Sequence, residues 1–436
     1  MRKISDVYLT NNSPEPNVIF DMASKSPIDG DLGVPIAKKS TPTTPRITRS
    51  ELELTYTHNP IIFNGINKIV QTIMSAKHVL VAKDKKVQSY FRDYLSNLGN
   101  SGSDVTWEEL LSQIYKFQCI YGTAYIENIF NKKGNRIVDW DMIDPKKMDY
   151  AKDGSNYIVL DKFGRPIGYV ETLPSSISIM DNNLPKEFAD KVILPANSIF
   201  MEAKEVAQLK MFMVGDGFYP LGLIEPIYKT SLRKLNIEGA LANSIWRHGF
   251  PIMLSQVGDA NHEPSPGQVQ TILNKIRDIN FKQELAVPYY VDLKMIESSN
   301  VGRLRQQLEY FIDQEVAGLG IPKPFVTGGG EATNRATLGN QQGMFQLTLR
   351  DIIDKTVENI RKYMFKPICD LEGFSEVPNL IWNVIGNEEL ANKSSRIVNY
   401  VKEGIFTPDQ IREMIINMEG MTDDISGDVP VKEVKE

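Results

Sequence analysis

Apolar residues first recur at helical spacing from Pro60 onward. Ile62, Ile66, Ile69 and Ile73 share one face, the mark of an amphipathic helix. A second helix is predicted over 85–98. A third opens at Thr106-Trp-Glu-Glu109, a capping box, and turns Leu110, Ile114, Phe117 and Tyr121 to one side. Over 123–200 the period changes. TAYIENIF, GNRIVDWDMI, SNYIVLD and PIGYVETL are rich in β-branched and aromatic residues, and NKKGN, AKDGS and DKFGRP between them are turn signals. The pattern predicts helices followed by a β meander, a small α+β module.

The helical period returns at 225–248, where Pro226 fits a first turn. Ile227, Leu232, Leu235, Leu241, Ile245 and Trp246 form its apolar face. Gly239, Ala240 and Ala242 make a small-residue patch that lets another helix approach closely, and Lys229, Arg233 and Lys234 are expected on the solvated remainder. Residues 249–298 read as a compact insert. It contains a helix opened by the Ser265-Pro-Gly-Gln268 box, then LAVPYYVDLKM, whose odd positions from Leu285 to Met295 are all apolar, as in a strand. Pro288 within that strand argues for a sheet edge. A second long helix is predicted over 299–318, so two long helices bracket the insert.

A third long helix is expected from 341 to 366, with Phe345, Leu349, Ile352, Ile353, Val357, Ile360 and Met364 on its face and Pro367 ending it. Two shorter helices follow at 387–403 and 408–419, the second opened by Thr407-Pro-Asp-Gln410. At the ends, prolines in SPEP and STPTTPR make 1–55 an arm, flexible or extended and partly disordered, of the kind a partner orders, with a few short strands as the alternative, and 420–436 is a polar tail expected to be disordered.

Candidate chemistry is sparse. GGGEATN at 328–334 invites a phosphate-cradle reading, but no GxxxxGK[ST] string occurs and no lysine stands within that stretch. Asp139, Asp141 and Asp144 in VDWDMIDP are spaced closely enough for a divalent ion, although a polar strand edge running into an Asp-Pro turn has the same spacing. The two cysteines, Cys119 and Cys369, are far apart, and none of the four histidines forms an HxxxH pair, so a disulfide framework or zinc site is not expected. No catalytic residue and no cofactor is predicted. The start has no apolar signal segment, and no apolar run approaches the roughly 18 residues of a membrane span. A formal charge of −6 over 436 residues lacks the basic excess of a protein that grips DNA phosphates.

The ordered set of elements resembles the portal proteins of tailed double-stranded DNA viruses. The resemblance runs over about 60–420: YGTAYIEN and MIDPKKM, then VGDGFYPLGLIEPIYK, a long helix, WRHGFPIMLSQVGD, the insert, a helix ending GLGIPKPFV, a Gly/Thr/Asn loop and another long helix. It implies an α+β, mainly helical subunit with wing, stem, clip and crown parts and long helices around a central channel.

Carried onto this chain, the resemblance gives an arm at 1–55, wing at 56–224, stem helix at 225–247, clip at 248–298, second stem helix at 299–320, tunnel loop at 321–340, long wing or channel helix at 341–375, crown at 376–420 and tail at 421–436. The loop's DNA-facing residues would be Gly328, Gly329, Gly330, Thr333, Asn334, Arg335 and Thr337; the stem would pack through Gly239, Ala240 and Ala242. The implied assembly is a homo-oligomeric ring, typically a dodecamer, at one capsid vertex, without a membrane. Its implied partners are double-stranded DNA in the channel, the terminase large subunit, capsid and scaffolding proteins, and a tail adaptor. Two alternatives stay open. One is another ring-forming head–tail adaptor. The other is a nucleotide- or metal-dependent enzyme using the glycine loop or Asp139, Asp141 and Asp144.

Overall fold

The computed structural model describes residues 45–99, 105–174, 176, 182–215, 217–249, 252–258, 263–277, 291–296, 301–327, 335–382 and 399. In chain order the elements are α1 (Arg49–His58), α2 (Pro60–Ser75), β1 (His78–Val81), α3 (Lys85–Ser96) and α4 (Trp107–Tyr121). Then come β2 (Thr123–Phe130), β3 (Ile137–Ile143), β4 (Met148–Tyr150), β5 (Gly168–Thr172), β6 (Ser198–Glu202) and β7 (Val206–Lys210). A 3-10 turn at Glu225–Ile227 leads into α5 (Tyr228–Gly249), followed by β8 (Ile252–Val257), α6 (Pro266–Arg277), β9 (Val291–Ile296) and α7 (Val301–Leu319). The last elements are α8 (Lys323–Thr327), α9 (Arg335–Ile360), a π-helical turn at Arg361–Phe365, α10 (Lys366–Glu372) and β10 (Asn379–Trp382). The chain divides into two compact units; the larger holds the described residues of 37–228 and 316–436, the smaller those of 229–315.

Among the described residues the larger unit has three antiparallel sheets, ordered β3-β2-β7, β4-β5-β6 and β1-β10. Two apolar clusters hold it. The isoleucine face of α2 is fully buried against Tyr115, Cys119, Leu349 and Ile352. Phe91, Leu110, Ile114, Trp140 and Phe365 form the second cluster. The helices α4 and α9 with its π turn place residues in both clusters, so they tie the cores together.

A close backbone approach explains two of the motifs quoted above. Gly122 ends α4 with φ +78°, a conformation glycine adopts without strain. Gly222 lies against it: a Cβ on Gly222 would stand 2.7 Å from the Ile120 carbonyl oxygen and 2.8 Å from the Gly122 nitrogen. The Leu223 N–H donates to the Cys119 carbonyl at 2.8 Å, and the Met211 N–H to the Gly122 carbonyl at 2.8 Å. YGTAYIEN and YPLGLIEP are therefore two sides of one seam.

Several expectations need correction. The arm does not stay extended to 55. Thr48 and Glu51 form a full capping box that starts α1, and Arg49 of that helix donates to the carbonyls of Pro145 and Met148 and, at 3.1 Å, to the Tyr125 hydroxyl. The Thr106 box is half made: its side chain accepts from the Glu109 N–H. The run 155–161 is not a strand. Asp153 Oδ1 accepts from the N–H of Ser155 and Tyr157, and Asp161 Oδ1 from Phe163 and Arg165, so side chains take the backbone donors that a ladder would need. Only the isolated bridges Lys152↔Ile158 and Leu160↔Pro166 remain.

The third long helix begins at Arg335, not 341, and Pro367 does not end it. The π turn at Arg361–Phe365 sits just ahead of the proline, where the ring would otherwise strike the preceding turn, and α10 carries the helix on to Gly373 with φ +76°. The strands β1, β7, β8 and β10 were not foreseen. The helices expected at 387–403 and 408–419 and the tail lie outside the described residues, save Asn399, which is helical.

In the smaller unit, β8 and β9 pair antiparallel from Ile252↔Ile296 to Val257↔Val291, and α6 contacts β8. The strand expected over 285–295 is thus seen from Val291; Pro288 lies outside the described residues.

Candidate functional site

The long helices that bracket the insert carry the clearest electrostatic feature of the smaller unit. Lys234 on α5 and Glu315 on α7 are 2% and 0% exposed, and Lys234 Nζ donates to Glu315 Oε2 at 3.0 Å. Glu238, one turn on and more exposed, lies 3.7 Å from the same ammonium. Lys234 is therefore not on a solvated face, as its helical position suggested. A charge hidden from water needs an opposite charge at hydrogen-bond distance, and Glu315 supplies it.

The expected small-residue patch lies further along α5. Gly239 is half-buried, and Ala240 and Ala242 are exposed. The described chain thus leaves Ala240 and Ala242 open and covers Gly239 in part. A tight approach is found at a different glycine, within the larger unit: a Cβ on Gly318 would come 2.0 Å from Ile227 Cγ2.

The range expected as a tunnel loop, 321–340, includes the helix α8 and the start of α9. Val326 and Thr327 end α8, Gly328–Asn334 lie outside the described residues, and Arg335 and Thr337 belong to the first turn of α9. Of the seven expected DNA-facing residues, these two are placed, and the backbone there is helical.

The enzyme reading finds little to build on. Asp139 is buried, with Oδ1 accepting the Trp140 N–H at 2.9 Å; Asp141 accepts the Met142 N–H; Asp144 caps the turn at Pro145–Lys147 and lies 3.5 Å from Lys146 Nζ. Among the described residues no group of three or more His, Cys, Asp or Glu side chains is placed to hold a metal ion. Cys119 is a buried free thiol whose pKa burial pushes up to about 12, which leaves it protonated and inert. Among the described residues no helix is long and apolar enough to cross a membrane.

A buried polar network escaped sequence reading. Gln208 on β7 donates to the Tyr125 hydroxyl at 3.0 Å and accepts from Tyr150 and Tyr169 at 2.8 and 3.2 Å. Burial raises all three phenols above their ordinary value, so they remain protonated, and Tyr150 and Tyr169 can donate. With Arg49 reaching Tyr125 from α1, this network pins the start of the described chain to the sheets of the larger unit. Its members lie on separate strands, and no local pattern marks them.

A second uncalled feature is a groove between α9 and β10, with a volume of about 520 Å³. Leu347, Val357, Leu380, Ile381 and Trp382 give it an apolar lining, with Arg350, Asp354, Glu358 and Arg361 among the polar residues.

No protein-family profile matches the chain, and no curated protein matches it. Solved structures do. A chain in the neck of an empty gene transfer agent particle, computed with C6 symmetry, matches at a TM-score of 0.59 and 12% identity over 86% of this chain and 95% of that one. A chain in the neck of the native particle, computed with C12 symmetry, matches at 0.53 and 14% identity over 85% and 93%. A crystal structure of an HK97 family phage portal protein from Corynebacterium diphtheriae matches at 0.46 and 12% identity over 79% and 96%. At such identities the likeness to the neck chains is one of fold: this chain has their fold, α+β and mainly helical, as the resemblance to portal proteins led us to expect.

Proposed function

We propose that this chain is the subunit of a portal ring at one vertex of a viral or virus-like capsid, a conduit through which double-stranded DNA enters and later leaves. The observation that carries the reading is the fold shared over 86% of the chain with a particle neck. The neck computed with C12 symmetry supports a ring of about twelve copies. In this reading α5 and α7 are the stem and β8, α6 and β9 the clip, which docks the terminase large subunit and then the tail adaptor. The chain itself is no enzyme, and the pump that spends ATP is a separate protein. It assembles in the host cytoplasm, with capsid and scaffolding proteins, and ends in the virion.

A closed ring of one chain presents two different faces to its neighbours. The strip at Gly239, Ala240 and Ala242 supplies a place where the next subunit's helix can approach the backbone of α5. A conduit must also release what it carries. Each phosphate paired with Lys or Arg adds affinity through counterion release, so a chain with net charge −6 suits sliding better than holding.

The deciding experiment is negative-stain microscopy of the purified chain, with its native mass measured in parallel. Rings with a central hole and a mass near twelve times 49.2 kDa are expected. A monomer under every condition, or DNA-independent ATP or metal-dependent nuclease activity, would overturn the reading.

A further inference from the structure

We infer that the edge of β10 opposite β1 is an acceptor site for an added β-strand, and that the strand is supplied by residues 17–22 of a second copy of this chain. β10 uses one edge to pair with β1, from His78↔Trp382 to Val81↔Asn379. Along its other edge, among the described residues, no backbone hydrogen bond forms. That edge borders the groove: all four β10 residues line it, whichever sheet face their side chains take. A strand edge facing an open groove presents alternating N–H and C=O groups, which an extended peptide satisfies.

The side chains favour the same occupant. Ile381 is 50% and Leu347 63% exposed, so the apolar lining is open. The Trp382 indole N–H is buried with no partner among the described residues. Indole nitrogen only donates, and a peptide carbonyl is an acceptor an incoming strand always carries. Arg350 and Arg361 beside Asp354 and Glu358 offer both signs of charge along the rim.

The chain carries a fitting strand of its own. Forty-four residues precede Pro45, and their prolines exclude a long helix. Within them, Asn17-Val-Ile-Phe-Asp-Met22 follows Pro16, contains neither Pro nor Gly, and sets Val18, Phe20 and Met22 on one face with Asp21 on the other. The chain between Met22 and Pro45 spans up to about 80 Å when extended, enough to reach an adjacent subunit. Donation to a second copy rests on the ring reading above. In a ring each subunit gives one strand and accepts one, so the exchange closes on itself.

Disulfide trapping in the full chain tests this. Ile381→Cys is combined in turn with Val18→Cys, Ile19→Cys or Phe20→Cys; Ile381→Cys alone and Ile381→Cys with Ser40→Cys are controls. The native thiols are both buried. After mild oxidation, a ladder of covalent multimers at least tenfold above the controls is expected on a non-reducing denaturing gel, from samples that form rings on the microscope grid. Rings with no cross-linking above the controls overturn the strand exchange and leave the ring intact. A cross-linked monomer shows the chain's own arm in the groove and overturns exchange between copies. Monomers without rings overturn the ring reading and this inference together.

Discussion

Lys234 Nζ lies 3.0 Å from Glu315 Oε2 with both side chains out of water. The pair joins two helices that are 81 residues apart in sequence. Such a pair contributes little against an apolar replacement, but removing one partner takes from a buried charge its nearest opposite charge. Glu315→Ala is expected to lower the unfolding free energy by about 3–5 kcal/mol, and Lys234→Ala by a similar amount. The double change Lys234→Met with Glu315→Leu is expected to recover most of the loss. Urea denaturation of the three variants checks this. Equal losses in the single and double variants would mean that packing, not charge, holds the helices.

The same pair marks where sequence reading stopped. Residues 228–249 and 301–319 are foreseeable as helices because their apolar residues keep a helical period. Lys234 is misread because helical position says which face a residue takes, not whether a partner covers that face. Glu315 carries no local sign of being that partner. The Asp153 and Asp161 turns mislead in the opposite direction. Their flanks are β-rich, yet a carboxylate that takes two backbone donors outcompetes the strand ladder. β10 is four residues long, too short for alternation to stand out, and the Gln208 tyrosine network comes together only when β2, β4, β5 and β7 meet.

Gly222 has no room for a side chain. A Cβ there meets three backbone atoms within 2.9 Å, and backbone yields less readily than a side-chain tip. Gly222→Ala is expected to cost about 1–3 kcal/mol by overpacking. The Leu223-to-Cys119 hydrogen bond adjoins the seam, so amide exchange at Leu223 is expected to accelerate. Unchanged exchange and thermal stability in this variant would show that the seam can open without cost.

His78 is held neutral by its neighbour. The Trp107 indole N–H donates to His78 Nε2 at 2.9 Å, so that nitrogen carries no proton, and the ring stacks on Trp382. Burial lowers the His78 pKa from its ordinary 6.5, opposed by Glu108 with a carboxylate oxygen 3.9 Å away. The unfolded chain therefore takes up a proton before the folded chain does. This site's contribution is complete above pH 6.5 and is lost as pH falls from there through the folded value. His78→Gln keeps an acceptor for the indole and does not titrate. The wild type minus variant difference in unfolding free energy is expected to shrink as pH is lowered from 7 to 5, a window above most carboxylate titrations. A difference that stays flat, or grows on acidification, would remove His78 as the source.

If the chain lines a DNA channel as proposed, Arg335 is a sharper probe of it than the glycines. A deletion spanning 328–337 would remove the first turn of α9 along with the loop, and so could disturb the helix that supports both cores. Arg335→Ala leaves the backbone alone, and alanine is a good helix former. If the side chain meets phosphate, the variant is expected to form normal rings and to retain packaged DNA less well, with the defect greatest at low salt, where an arginine–phosphate pair contributes most. Each such pair adds about 0.9 to the slope of log affinity against log salt, so the purified ring's DNA-binding slope is expected to flatten by about that much for every phosphate that Arg335 neutralises. An unchanged slope with normal retention would remove Arg335 from the channel wall. Failure to form rings would instead give the residue a part in subunit packing.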